Sequence, residues 1–311
     1  MLTPLRNDIR YFLYSKLWIL MTVLFLLTAL FICNTNHKNA RANVINYQFS
    51  VEQAEKSGEN AAALQAADYT ILSSDKNSGI VENPIAYYYA EIEKSITYLQ
   101  PNRLIVPLFA GELAFIPILS AFFGLIWVSV DHKYHTLRYR SLRFGKQSSL
   151  FSRQISGYLL LIILMVITSL ATFGIQAYFT HAFYTEFPEI SNIPYCTDQF
   201  SPAFYLKCIP FILFLLLLYY ELGFFVGNLF KQNPISYALV GAYILFVPPL
   251  FRYDIANITC NIARLIFPYN GAFTLQGGSS AKLIPSIFVL ISILLAFIIL
   301  NAVITQKRSA Y

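Results

Sequence analysis

Two carboxylates stand inside apolar segments, where an ionisable side chain is costly and often functional. Glu112 lies in FAGELAF and Glu221 in LLYYELGFFVGNLF. Each could line a polar path through a membrane, bind a cationic part of a substrate or relay protons. Each could instead be a protonated carboxyl group that forms a hydrogen bond with a neighbouring helix. No basic residue accompanies either one within its apolar segment, so the two acids alone do not indicate an ion pump.

Two glycines, Gly223 and Gly227, follow Glu221 as a GxxxG pair. In an apolar helix this spacing lets a second helix approach closely. The pattern predicts either a dimer face or close packing within one chain. Glu112, Glu221 and the two glycines are therefore candidates for a translocation path or a helix interface.

The sequence lacks the motifs of an enzyme. It contains no GxxxxGK[ST] phosphate loop, no GxSxG and no HExxH. Its four histidines are scattered, and no CxxC or His/Cys spacing indicates a metal site. We predict a non-catalytic chain with no metal or cofactor of its own.

The composition is that of an integral membrane protein. Hydrophobic residues make up 57% of the 311 residues and charged residues only 12%, against roughly 25% charged in a typical soluble domain. The formal net charge is +6, but the basic residues adjoin apolar segments. Membrane topology explains that placement more simply than nucleic-acid binding, which we do not expect.

Six segments are apolar and long enough, or nearly so, to cross a bilayer, which takes roughly 20 residues. The sequence therefore predicts an all-α membrane protein with six spanning helices. The predicted spans are 13–33, 104–130, 155–180, 209–230, 235–251 and 283–305. Pro248 and Pro249 should end or bend the fifth.

A short basic loop, 131–153, joins the second and third predicted spans. Its six basic residues are Lys133, Arg138, Arg140, Arg143, Lys146 and Arg153. Such a loop normally faces the cytoplasm, and six spans then place both termini there. Apolar residues alternate with the charge, which indicates docking against a partner as well as orientation.

The amino-terminal region, 1–33, combines a polar tail with the first span. Apolar residues of the tail fall on one face, with Arg6, Asp8 and Arg10 off it. This pattern predicts an interfacial amphipathic helix, or alternatively a simple extension of the first span.

Two loops on the predicted outer side carry structure of their own. Residues 34–103 predict a helical subdomain inserted before the remaining spans, which occupy 104–311. Residues 252–282, between the fifth and sixth spans, carry isoleucines at helical spacing and then Pro268. They predict a re-entrant hairpin, or alternatively an ordinary surface helix.

All four cysteines lie at or beyond the predicted outer surface, where disulfides can form. They are Cys33, Cys196, Cys208 and Cys260. A bridge from Cys196 to Cys260 would join the two short outer loops. Four cysteines permit three complete pairings, so this bridge is one possibility among several.

Several segments resemble one known family, the permease subunits of ABC-2 type exporters, whose ATPase is a separate chain. Asp131 and Thr136-Leu137-Arg138 are similar to the family's acidic residue followed by Gly-Thr-Leu-Arg, although His135 stands where the family usually has Gly. Residues 145–153 resemble the stretch that leads into its third helix. Residues 223–234 resemble its glycine-containing helix and basic turn, and Leu265 to Pro268 resemble part of its outer re-entrant region.

The resemblance implies a bacterial plasma-membrane exporter. Two permease chains, identical or paralogous, would form the path among membrane lipids. The loop 131–153 would dock on ABC ATPase subunits, which would bind ATP and Mg²⁺. The implied coupling residues are Asp131, Thr136, Leu137, Arg138, Arg140, Leu142, Arg143 and Phe144.

The cargo is inferred from composition. The many aromatic residues, and a subdomain at 34–103, favour a hydrophobic or amphipathic peptide. One alternative is an exporter of lipids or drugs. Another is a membrane sensor or assembly factor that uses 34–103 as its receptor domain.

Overall fold

A computed structural model describes residues 2–75, 78–101, 108, 113, 115–133, 139, 142–193, 202–231, 234–246, 251–267 and 280–307. The helices are α1 (Leu2–Tyr14), α2 (Leu17–Lys56), α3 (Ala61–Ala66), α4 (Pro84–Leu99), α5 (Ile116–Lys133), α6 (Lys146–Glu186), α7 (Pro202–Phe230), α8 (Pro234–Phe246), α9 (Ile255–Ile266) and α10 (Leu283–Lys307). A 3-10 helix covers Pro188–Asn192. The helical class is confirmed. One antiparallel hairpin, β1 (Ile71–Asp75) with β2 (Ser78–Val81), was not predicted.

Four helices are long and apolar enough to cross a membrane, namely α2, α6, α7 and α10. This is compatible with a multi-pass membrane protein. The helices at the second and fifth predicted spans are apolar but shorter, with Ile116–Val130 in α5 and Pro234–Leu245 in α8. Most of residues 104–115 lie outside the described ranges, so the prediction of six spans is confirmed only in part.

Two predicted helix boundaries were wrong. The first span was predicted at 13–33 and the third at 155–180, but α2 runs from Leu17 to Lys56 and α6 from Lys146 to Glu186. Hydropathy marks where a helix leaves apolar surroundings, not where its backbone hydrogen bonds end. The helix boundaries instead fall beside Gly58 and Gly145, at φ values of 76° and 79° that favour glycine.

The amino-terminal tail forms a helix separate from α2. The break lies at Ser15 and Lys16, where Lys16 has a φ of 57°. Asp8 and Phe12 are buried on α1, whereas Leu13 is 56% exposed. The separate helix agrees with the first of the two predicted alternatives, but its buried face was wrongly predicted, because Asp8 was placed off the apolar face.

The chain divides into two compact units. Unit 1 comprises residues 1–29, 109–171 and 202–311. Within it, α5 and α7 approach so closely that a Cβ atom on Gly223 would lie 1.8 Å from the carbonyl oxygen of Ala121. A Cβ on Gly227 would lie 2.4 Å from Cγ1 of Val128. The GxxxG pair therefore serves close packing within one chain.

Unit 2 comprises residues 30–108 and 172–201. The predicted subdomain 34–103 belongs to this unit, which also takes in the end of α6. Its core contains Ala40, Val44, Ile92, Ile96, Leu99, Phe183 and Ile190. Hydrogen bonds also join its helices: Asn43 Nδ2 donates to Ser95 Oγ at 2.9 Å, and Gln176 Nε2 donates to the Leu99 carbonyl at 3.0 Å.

The predicted re-entrant region contains one amphipathic helix, α9. Asp254 caps it by accepting a hydrogen bond from the Ile255 backbone N–H. Ile255, Ile258 and Ile262 are buried, as their spacing suggests, but Leu265 is 69% exposed. The return limb of a hairpin, 268–279, lies outside the described residues.

Candidate functional site

A buried ion pair joins α1 to the beginning of α6. Arg153 Nη1 donates to Asp8 Oδ1 at 3.0 Å, and each side chain is only 3% exposed. Ser152 Oγ donates to the other carboxylate oxygen at 2.9 Å. Both oxygens of Asp8 therefore have donors, which a carboxylate removed from water requires.

Arg153 also contacts α5. Arg153 Nη2 donates to the Trp127 carbonyl at 2.8 Å, and its guanidinium carbon lies 3.7 Å from the centroid of the indole ring. Trp127 Nε1 in turn donates to the Arg153 carbonyl at 2.9 Å. Arg153 was predicted to belong to the basic loop 131–153, and this is wrong, since it lies within α6 and is buried. Because α6 begins before Arg153, this residue is buried, and its side chain links α6 to α1 and α5.

The next residue along α6 begins a second polar cluster. Gln154 Nε2 donates to Glu221 Oε2 at 2.8 Å, and Asn301 Nδ2 of α10 donates to the same oxygen at 3.0 Å. Glu221 is 3% exposed. The structure thus places Glu221 at a junction of α6, α7 and α10, while its part in a translocation path stays a prediction.

Polar contacts between α7 and α10 continue beyond Glu221. Asn228 Nδ2 lies 3.2 Å from Thr305 Oγ1 and 3.5 Å from Asn301 Oδ1. Asn228, Asn301 and Thr305 are all buried. Because a wrong helix register would leave these groups unsatisfied, the row of amides and hydroxyls fixes how α7 and α10 align.

The segment implied to couple to an ATPase is described only at its ends. Asp131 lies in the last turn of α5, and its side chain is outside the description. Thr136, Leu137, Arg138 and Arg140 also lie outside the described residues. Leu142 is 77% exposed, and Arg143 is exposed with its guanidinium carbon 5.2 Å from the ring centroid of the half-buried Phe144.

Three further candidates have different outcomes. Glu112 and Cys196 lie outside the described residues, so the proposed disulfide stays a prediction. Cys260 is buried on α9.

In the described part of the chain, no three His, Cys, Asp or Glu side chains are grouped so that they could hold a metal ion.

Sequence reasoning missed most of the partners in both clusters. Gln154 and Asn301 are amides at the edge of, or within, predicted spans, and that placement is a usable signal for an interhelical hydrogen bond. Asp8 and Trp127 carry no such signal. Asp8 is 145 residues from Arg153, and nothing local in the sequence pairs them.

No protein-family model matches the chain, and no curated protein or solved structure was found to match it.

Proposed function

We propose that the chain is the permease subunit of an ABC-2 type exporter in a bacterial plasma membrane. It would move a hydrophobic or amphipathic peptide, driven by ATP hydrolysis in a separate ATPase. In this proposal α5 and α8 complete six spans, both termini are cytoplasmic, and a second permease chain completes the path. The resemblance of residues 131–153 and 223–234 to that family supports the proposal.

One structural observation carries the proposal furthest. The segment Leu142–Phe144, in which Leu142 and Arg143 are exposed, ends one residue before α6, and the first three turns of α6 contain Arg153 and Gln154. Arg153 is bound to α1 and α5, and Gln154 to Glu221 of α7. A force that an ATPase applies to the segment would therefore pass through the first three turns of α6 to α1, α5 and α7.

Leu142→Asp tests this coupling. The side chain is exposed, so the substitution should leave expression and thermal stability unchanged, whereas an apolar contact with an ATPase would be lost. We expect copurification with the proposed ATPase partner, and ATP-dependent export, to be abolished. Ile71→Asp, at a 55% exposed site in unit 2, is the control and should retain both.

Absence of any stoichiometric ATPase from the purified wild-type protein would refute the exporter proposal. If the purified protein associates with no ATPase but unit 2 still binds a ligand, a membrane sensor is favoured instead. A labelling experiment tests orientation: a cysteine at Ser148, within the stretch 131–153 that is predicted to face the cytoplasm, should resist impermeant thiol reagents in whole cells.

A further inference from the structure

An open groove of about 560 Å³ lies in unit 2 between α2, α3 and the start of α4. Its volume falls within the range of small-ligand sites, roughly 300–1,000 Å³. One face of α2 and the residue that follows the helix form a wall, with Asn46, Ser50 and Gln53 in the helix and Ser57 just after it. These positions recur every three or four residues, so they share one side of the helix.

The groove has an apolar floor and aromatic walls. Ile85 is 2% exposed and Ala54 is 7% exposed, both at the floor. Phe49 is 60% exposed and Tyr88 is half-buried, so both rings are accessible to a ligand. An apolar side chain or alkyl group could therefore be buried against these four residues.

The groove is rigidly built where α3 meets α4. Asn83, also in the lining, accepts a hydrogen bond from the Ala86 backbone N–H at 3.3 Å and donates to the Leu64 carbonyl at 2.7 Å. Glu82 accepts a hydrogen bond from the Thr70 hydroxyl. The carboxylate is thereby positioned at the groove before any ligand arrives, which lowers the entropic cost of binding.

The charged residues described in the groove lining are all acidic. Glu59 and Glu82 are exposed in the lining, and no Lys, Arg or His is among the described residues that line it. Among the described residues neither carboxylate forms an ion pair, whereas Glu52 and Glu91 pair with Lys56 and Lys94. Two carboxylates beside accessible aromatic rings complement a cation that carries an apolar group.

We infer that this groove binds a cationic amphipathic peptide, seating a Lys or Arg side chain against Glu59 and Glu82 and an adjacent apolar side chain against Phe49, Ile85 and Tyr88. The groove would then be the site where unit 2 first captures the cargo. That role as cargo rests on the proposed exporter function, but binding to the groove does not.

Binding can be measured without an ATPase. The full chain in phosphatidylcholine nanodiscs is titrated against a dansyl-labelled peptide that alternates Lys with Leu, with the signal of empty nanodiscs subtracted. Saturable binding is expected, weaker at high ionic strength because salt screens exposed charges. A matched peptide that alternates Glu with Leu should not bind.

Two variants locate the site. Glu59→Gln with Glu82→Gln should weaken binding about two- to thirtyfold, because each of two exposed ion pairs contributes about 0.2–1 kcal/mol. Phe49→Ala should weaken it at every ionic strength. Glu55→Gln, an exposed carboxylate of α2 outside the lining, is the matched control and should bind as wild type does.

Equal affinity in the wild type and the Glu59→Gln/Glu82→Gln variant would overturn the inference, as would the absence of saturable binding. Unchanged circular dichroism of the variants shows that any loss is not unfolding. Because no ATPase is present, failure here would leave the exporter proposal standing, and loss of ATPase association alone would leave the groove standing.

Discussion

Among the described residues of unit 1, two carboxylates are buried, and they have different hydrogen-bond partners. Asp8 faces the guanidinium of Arg153 and also accepts from Ser152. Glu221 accepts from the two neutral amides of Gln154 and Asn301. Each carboxylate is about 3% exposed or less, so burial does not distinguish them and their partners do.

This difference assigns the two clusters different physical roles. A buried charge with a charged partner is costly to break, because either remaining group is stranded in a low-dielectric environment. A carboxyl group that accepts from amides can be replaced by an amide of the same shape without stranding a charge. Asp8 and Arg153 therefore form an ion pair that needs both charges, whereas the site of Glu221 tolerates a neutral side chain.

Arg153→Met should have the largest effect on stability. It leaves Asp8 buried without a counter-charge and removes the contacts with Trp127, so the free energy of unfolding should fall by about 3–5 kcal/mol. Unfolding in mixed detergent micelles, titrated with sodium dodecyl sulfate, measures the loss. Arg143→Met, at an exposed arginine, should change stability by less than about 0.5 kcal/mol.

A double-mutant cycle isolates the ion pair from the other contacts of Arg153. Asp8→Asn alone should also be strongly destabilising, because it strands the guanidinium. The double variant Asp8→Asn/Arg153→Met should lose less stability than the sum of the single variants. Strictly additive losses would show that the pair is not coupled.

The helix contact next to Glu221 can be tested apart from its hydrogen bonds. In Gly223→Ala the new methyl group would meet the backbone of Ala121, and α5 and α7 would have to separate, at a cost of about 1–3 kcal/mol. Gly174→Ala is the matched control, because nothing lies within 4 Å of its Cβ position. That change should stabilise α6 by up to about 1 kcal/mol.

The same titration of mixed micelles measures both glycine variants. A loss in Gly223→Ala no greater than the change in Gly174→Ala would contradict the close approach of α5 to α7.

The two clusters also show what sequence can predict. Glu221, Gly223 and Gly227 stand out because acids and GxxxG pairs are uncommon in apolar segments, and the structure places all three at helix contacts. Arg153 was wrongly assigned, because a positive charge beside a span normally marks a cytoplasmic loop. Only the three-dimensional packing of α1 against α5 and α6 reveals its partner.

The ends of the helices were also not predictable from the sequence alone. Hydropathy located the apolar parts of α2 and α6 but not their polar continuations, to Lys56 and back to Lys146. Polar residues such as Lys, Asn and Gln remain compatible with a helix when tertiary packing covers one face. The core residues Ala40 and Val44 of unit 2 lie on that continuation of α2, and their role depends on distant partners in α4 and α6.

Glu221→Gln should have the smallest effect, and it sets the sharpest test of the difference between the two carboxylates. The Gln side chain keeps an oxygen that can accept from Gln154 and Asn301, so stability should change by less than about 1 kcal/mol. Glu221→Ala removes that oxygen and should cost about 1–3 kcal/mol, because two buried amides lose their acceptor. If Glu221→Gln destabilises the protein as much as Asp8→Asn does, the Glu221 carboxylate has a charged partner in the folded protein. The distinction between the Asp8–Arg153 ion pair and a carboxyl group held by neutral amides would then be wrong.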